Sequence, residues 1–472
     1  MSQELSPQVG SHQLDKKQLV FWLITVAVPI AVLLIPESQT YTHAIKVFFA
    51  ITIGMILIVA FETLPILIPS LLLPVCYGLA GLAPMGAIFG PWSSSMPWLF
   101  IAGMIIANVF DHSGLMKRLT YRCILLVGGS YKGMLYGIAV TGIIMGICIP
   151  NIGGRGALYA ALAFGLCKAL SLKPQGKAAG SVMLAAAVAA TMPAYMFLTD
   201  LGIVGLNAAA NFAQVSMLSW LKWFLYVGPP LLAWLFFSIW LITKLFKPEE
   251  MLESKAFFEK ELAALGKWQP KEIKMAILML VVLVLLLTTG WHKLDVGWIF
   301  LFAACICFLP GIRLAGEEDL KINYGMVIFV VATMSIGVVS NVVGAGNYLA
   351  EIFYPLVEKT GSIVFIGAIW AVAFLVNFLL TPLAGISTLV GPLAHIGELM
   401  GIDPYVVIFT FMQGMDQVLL PYENVMMLLF MSFGMLSMRD FVKYFGIRAV
   451  INLLFVLLIL VPYWHLLGIF AL

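Results

Sequence analysis

Long apolar runs dominate this chain, and one of them is cut by Pro150-Asn151-Ile152-Gly153-Gly154-Arg155-Gly156. Apolar runs of about 20 residues are the length of a membrane-crossing helix. Pro150 removes a backbone donor, the glycines weaken any helix across the stretch, and Arg155 adds a full charge. Near the bilayer centre that charge costs roughly 2.5–3.5 kcal/mol on insertion scales. Irregular backbone is tolerated at such depth only where protein buries it or a wet cavity meets it. An anion held between broken-helix ends would offset the cost, since a helix N-terminus carries about +0.5 charge and free N–H groups. The competing reading has Arg155 snorkelling to the surface from a hairpin tip.

Composition sets the class. Of 472 residues, 62% are hydrophobic and 10% charged, against about 25% charged in soluble proteins. Mean hydropathy is +1.04. The chain is read as an all-α integral membrane protein. The net charge of +3 says little about partners, and the basic residues lie in connecting segments rather than on one face, so no nucleic acid is expected. Cys76, Cys123, Cys148, Cys167, Cys305 and Cys307 sit in or beside apolar stretches without zinc-ligand spacing and read as small buried hydrophobes.

Residues 1–17 read as a cytoplasmic tail. Residues 18–243 hold a first helix and a first half with a hairpin near 150–170. Residues 244–274 are the one substantial polar segment, read as an amphipathic cytoplasmic linker. Residues 275–472 form a second half with a hairpin near 382–400. The lysines at 16 and 17 and in the linker place both on the cytoplasmic side. The uncharged C-terminus then lies outside, and about eleven spans satisfy that topology. The expected location is the inner membrane of a bacterium.

The halves resemble each other. A shift of 232 residues aligns Gly114 with Gly346, Gly129-Ser130 with Gly361-Ser362, Pro150 with Pro382 and Gly153 with Gly385. A shift of 228 sets Met192-Pro193 on Leu420-Pro421. Five spans per half would give the halves opposite orientation. Inverted repeats with interrupted helices at matching places point to a secondary transporter with its site between the repeats.

Trp98-Leu-Phe-Ile-Ala-Gly103-Met through Asp111-His-Ser-Gly-Leu-Met-Lys117-Arg118 resembles the divalent anion/sodium symporter family of the ion transporter superfamily, as does Gly325-Met-Val-Ile-Phe-Val through Gly346 with the Pro382 hairpin. The resemblance runs from about residue 40 onward. It implies import of di- or tricarboxylates or sulfate, usually with sodium, by a homodimer whose transport domains move like elevators against a scaffold. Hairpin tips in that family read Ser-Asn-Thr. Here they read Pro150-Asn151-Ile152 and Pro382-Leu383-Ala384, so only Asn151 matches. The family's Thr-Pro-Pro element is also absent, with Pro421-Tyr422-Glu423-Asn424 in its place.

Read from chemistry alone, the candidate contacts for a small anion are Asn151, Gly153, Arg155, Tyr195, Gly385, Ser387, Thr388, Tyr422 and Asn424. Arg155 could clamp a carboxylate with two parallel N–H bonds. Asp200, Asp416 and Glu423 lie in the broken-helix regions and are the candidates for coupling to Na+ or H+; no cofactor is expected. An exchanger without cation coupling and a cation/proton antiporter remain open. The chain lacks His-Glu-x-x-His, Gly-x-Ser-x-Gly and paired-aspartate signatures, so no enzyme is expected.

Overall fold

The computed structural model describes residues 16–61, 63–248 and 254–471. The side chains of Lys16, Lys17, Asp200, Ser254 and Ala350 lie outside that description. All regular structure among the described residues is helical.

The chain opens with α1 (Lys16–Leu34), α2 (His43–Ala60) and α3 (Leu67–Leu79). The first half continues with α4 (Met96–Ser113), α5 (Leu115–Leu126), α6 (Tyr131–Cys148), α7 (Ile152–Ala169), α8 (Lys177–Thr191), α9 (Asp200–Ala210) and α10 (Trp220–Leu245). A short polar helix α11 (Ser254–Ala264) leads to α12 (Pro270–Leu287) and α13 (Val296–Ile306). The second half follows with α14 (Tyr324–Val343), α15 (Ala345–Val357), α16 (Ser362–Val376), α17 (Pro382–Leu399), α18 (Pro404–Met415), α19 (Val425–Ser432) and α20 (Met438–Phe455), the last running on through a π-turn to Leu466.

Six helical stretches are long and apolar enough to cross a membrane, and the bent pair α4–α5, with its 71° angle, makes a seventh. Exposed side chains such as Leu23, Leu34, Leu126 and Val284 fit a lipid-facing surface.

The order α4 to α10 recurs in α14 to α20. In both halves a span ends at a left-handed glycine, a helix pair follows, and then a span broken in the middle. The turn glycine of the second half is Gly344 (φ +78°), not Gly346 as the 232-residue alignment suggests; Gly114 (φ +76°) is its counterpart. Gly346 instead gives room to Phe212, whose ring would lie 2.0 Å from an added Cβ. The two hairpins are also longer than the sequence suggests, because each tip has a full helical arm on either side: α6 and α7, then α16 and α17.

The breaks have local causes. Ser130 caps α6 through Gly133 N–H, and Asn151 caps α7 through Gly154 N–H at 2.8 Å. Pro193 lacks an N–H and stops α8. The larger core runs from α4 to α20, while a smaller cluster of Ile45, Phe48, Tyr77, Ile336 and Val339 ties α2 and α3 to α14. The packing crosses between halves: α9 lies on α17, and α19 lies on α7. Each broken span thus sends its second part against the other half's hairpin.

Candidate functional site

Four helices begin at one cavity of about 300 Å³. Its walls include Asn151 to Gly154 at the start of α7, Leu201 at the start of α9, Thr381 to Leu383 at the start of α17, and Asn424 to Met426 at the start of α19. Asn323, which caps α14 through Met326 N–H at 3.1 Å, adds a fifth. Ile66, Phe100, Met104 and Phe329 supply apolar wall. No charged side chain lines it among the described residues.

The side-chain amides are set for acceptors. Asn151 Oδ1 accepts from Gly154 N–H at 2.8 Å, and Asn424 Oδ1 accepts from Met426 N–H at 2.9 Å. These caps assign the oxygens, so both remaining NH₂ groups are donors. Thr381, also on the wall, makes no side-chain capping bond. Helix starts and amide donors together favour an anion. The tip sits close to α4 because Gly103 has no side chain; a Cβ there would lie 2.7 Å from Asn151 Cβ.

Three of the anticipated contacts, Asn151, Gly153 and Asn424, line this cavity. The others do not. Arg155 is fully buried and turned away from it. Its Nε donates to Ala190 O at 3.0 Å, and its Nη1 donates to Ile149 O. Ala190 O lost its helical partner when α8 stopped before Pro193, so the guanidinium closes a carbonyl that the break had opened. Two of its donors are thus engaged by backbone carbonyls rather than by the cavity. Tyr195 is buried, Tyr422 is half exposed, and Gly385 packs under Met415. Ser387 borders a separate cavity of about 370 Å³ with Asn207 and Asn211, and Thr388 borders a gap of about 30 Å³ beside Leu73 and Phe329.

Two of the three candidate carboxylates have protein partners as well. Asp416 pairs with buried Arg448, whose Nη1 also reaches Asp416 O at 3.2 Å and Gln417 Oε1 at 2.9 Å. Glu423 accepts from Leu420 N–H at 2.7 Å and Leu419 N–H at 3.1 Å, and from Asn377 at 3.4 Å. It holds the loop between α18 and α19 and does not meet Arg155. The Asp200 side chain lies outside the described residues.

The sequence reading missed Thr381, Asn323 and Arg448. Arg448 was detectable, since it is a charge inside the last apolar run and such residues merit the same attention as Arg155. Thr381 and Asn323 carry no comparable signal, because short polar residues before helices are common caps.

A family model, the sodium:sulfate symporter transmembrane region, matches residues 16–470. The chain belongs to this family. A sodium:sulfate symporter family member is a transporter, not an enzyme, and a multi-pass membrane protein. Among curated relatives, a "Membrane protein" of Cupriavidus necator is 23% identical, over 69% of this chain and 68% of that one. The "Putative malate transporter YflS" of Bacillus subtilis is 24% identical, over 65% and 66%. The "L-tartrate/succinate antiporter" of Shigella boydii is 22% identical, over 93% and 96%. The chain thus spans about two thirds of the first two relatives and nearly all of the third. Among solved structures, Neisseria gonorrhoeae MtrF, reported as illuminating a class of antimetabolite efflux pumps, shares the fold with a TM-score of 0.55 at 14% identity, over 95% of each chain.

Proposed function

We propose that this chain is a secondary active transporter for a small organic anion of the di- or tricarboxylate type. The observation that carries the reading is the convergence of four helix starts on one cavity without a charged side chain among its described walls. Helix ends and amides attract carboxylates without the desolvation cost of a buried cation. The cavity volume of about 300 Å³ sits at the small end of ligand sites. Relatives named for malate and for tartrate and succinate agree with that substrate class.

In this reading the two halves are inverted repeats, giving eleven crossings with α6–α7 and α16–α17 as re-entrant hairpins. The N-terminus is cytoplasmic and the C-terminus outside, in a bacterial inner membrane. A homodimeric scaffold around α2, α3 and α14 holds a transport domain that moves as an elevator, driven by Na+ or H+.

A second reading, exchange of one anion for another, draws on Arg155 and Arg448. A sodium site needs backbone carbonyls, and here guanidinium groups already sit on Ile149, Ala190 and Asp416 carbonyls. A resident cation at both breaks would remove the need for a travelling one.

Reconstituted vesicles loaded with succinate, malate, tartrate or citrate would decide. Uptake of labelled dicarboxylate that follows a sodium or proton gradient into empty vesicles supports symport. Uptake only into anion-loaded vesicles, indifferent to sodium, supports exchange. No dicarboxylate or tricarboxylate uptake in either format would refute the proposed substrate class.

A further inference from the structure

A second cluster lies away from the transport cavity, at the far end of α4. His112 Nδ1 and Asp319 Oδ1 are 2.7 Å apart, and one donor atom from each of His112, Glu318 and Asp319 lies within 4.8 Å of the other two. Asp319 is 1% exposed, yet its Oδ1 accepts no hydrogen bond among the described residues. Its other oxygen accepts from Gly316 N–H at 2.9 Å, which fixes the carboxylate. The imidazole nitrogen therefore meets Oδ1 at ion-pair distance without hydrogen-bond alignment. Two ligands of one cation meet in that way: donors 2.0–2.2 Å from a metal sit roughly 3 Å from each other.

We infer that His112, Glu318 and Asp319 bind a divalent transition-metal ion. This inference does not depend on the identity of the transported anion. One imidazole with two carboxylates suits Zn2+, Co2+ or Mn2+ rather than Ca2+ or Mg2+, which prefer all-oxygen shells. Three protein ligands leave room for water, as Glu318 and His112 reach solvent. The ion ties α4 to the turn of residues 317–320 that precedes α14. That turn is already held from the same face of α4: Asn108 donates to Asp319 O at 3.0 Å, and Met104 Sδ accepts from Asn323 N–H at 3.3 Å. Met104, Asn108 and His112 are spaced four apart, so the metal lies about 12 Å along α4 from the cavity wall. Filling the site fixes the segment that delivers Asn323 to the cavity.

The test uses full-length protein purified with a non-histidine tag and stripped with EDTA. Co2+ is titrated by its visible absorption, and amide exchange over 316–323 is followed with and without metal. The expected result is one Co2+ per chain, unaffected by excess Mg2+ or Ca2+, with binding at least tenfold weaker in His112→Ala and in Glu318→Gln, and slower exchange over 316–323 when metal is present. Glu318 is exposed, so its variant keeps the fold intact. No saturable absorption, equal affinity in the variants, or exchange unchanged by metal overturns the inference.

Discussion

Arg155 Nε and the carbonyl of Ala190 lie 3.0 Å apart, so the first hairpin's own tip closes the break in the adjacent span. Two donors of a group that the sequence offers to a ligand go to backbone carbonyls. The second break is closed in the same manner by Arg448 from α20, which reaches Asp416 O.

Arg155→Ala is therefore expected to cost stability before it costs recognition. Hydrogen bonds to charged groups contribute about 1.5–3 kcal/mol each, and two carbonyls lose theirs. A fall of at least 3 kcal/mol, or a clearly lower melting temperature in detergent, is expected. Arg155→Lys should rescue little, because an ammonium cannot span both carbonyls as a planar fork does. Unchanged melting together with loss of ligand-induced stabilisation would return Arg155 to the ligand.

Asp416→Asn should strand the Arg448 guanidinium. Breaking a buried pair costs about 3–5 kcal/mol. Asp416→Asn combined with Arg448→Met should melt higher than Asp416→Asn alone. A double variant no better than the single would show that the pair is not the source of the loss.

Asn151→Ala and Asn424→Ala each remove a cap worth about 1 kcal/mol and a donor at the cavity. Apparent anion affinity, read by thermal shift or vesicle uptake, should drop about tenfold for each, equivalent to about 1.4 kcal/mol. Tyr422→Phe, outside the cavity, should leave affinity unchanged.

Gly103→Ala places a methyl 2.7 Å from Asn151 Cβ and 3.3 Å from its backbone nitrogen. The tip must shift, so transport should weaken through KM while the protein still folds. Wild-type kinetics in this variant would show that the approach of α4 to the tip is not needed.

Glu423→Gln turns one accepting oxygen into an NH₂ facing the Leu419 or Leu420 N–H. About 1–3 kcal/mol of stability should go with it. Since Glu423 holds backbone, the pH profile of uptake should keep its shape. A flattened profile would make Glu423 a proton carrier.

The sequence showed where the backbone breaks, because proline and glycine act locally: Pro150, Pro193, Pro382 and Pro421 all mark real interruptions. It could not show what each break faces. The Arg155 bonds to the Ile149 and Ala190 carbonyls left no trace in the sequence, because every residue carries a carbonyl. The partners of Glu423 were hidden for the same reason, being chiefly the backbone amides of Leu419 and Leu420, with Asn377 beside them. The cavity gathers segments from residues 66 to 426, and that convergence has no local trace. The two-residue difference between Gly346 and Gly344 shows that glycine alignment finds a repeat more readily than its register.

The described cavity wall carries no ionised side chain, so the anion preference proposed for it rests on helix starts and on the neutral amides of Asn151 and Asn424. Substitutions at Ile66, Phe100 or Phe329 can reshape the chamber without altering the sign of what it attracts. Divergence among such proteins can then change which acid is carried while the taste for acids persists, and an inhibitor aimed here should gain selectivity from its carbon skeleton rather than from its charges.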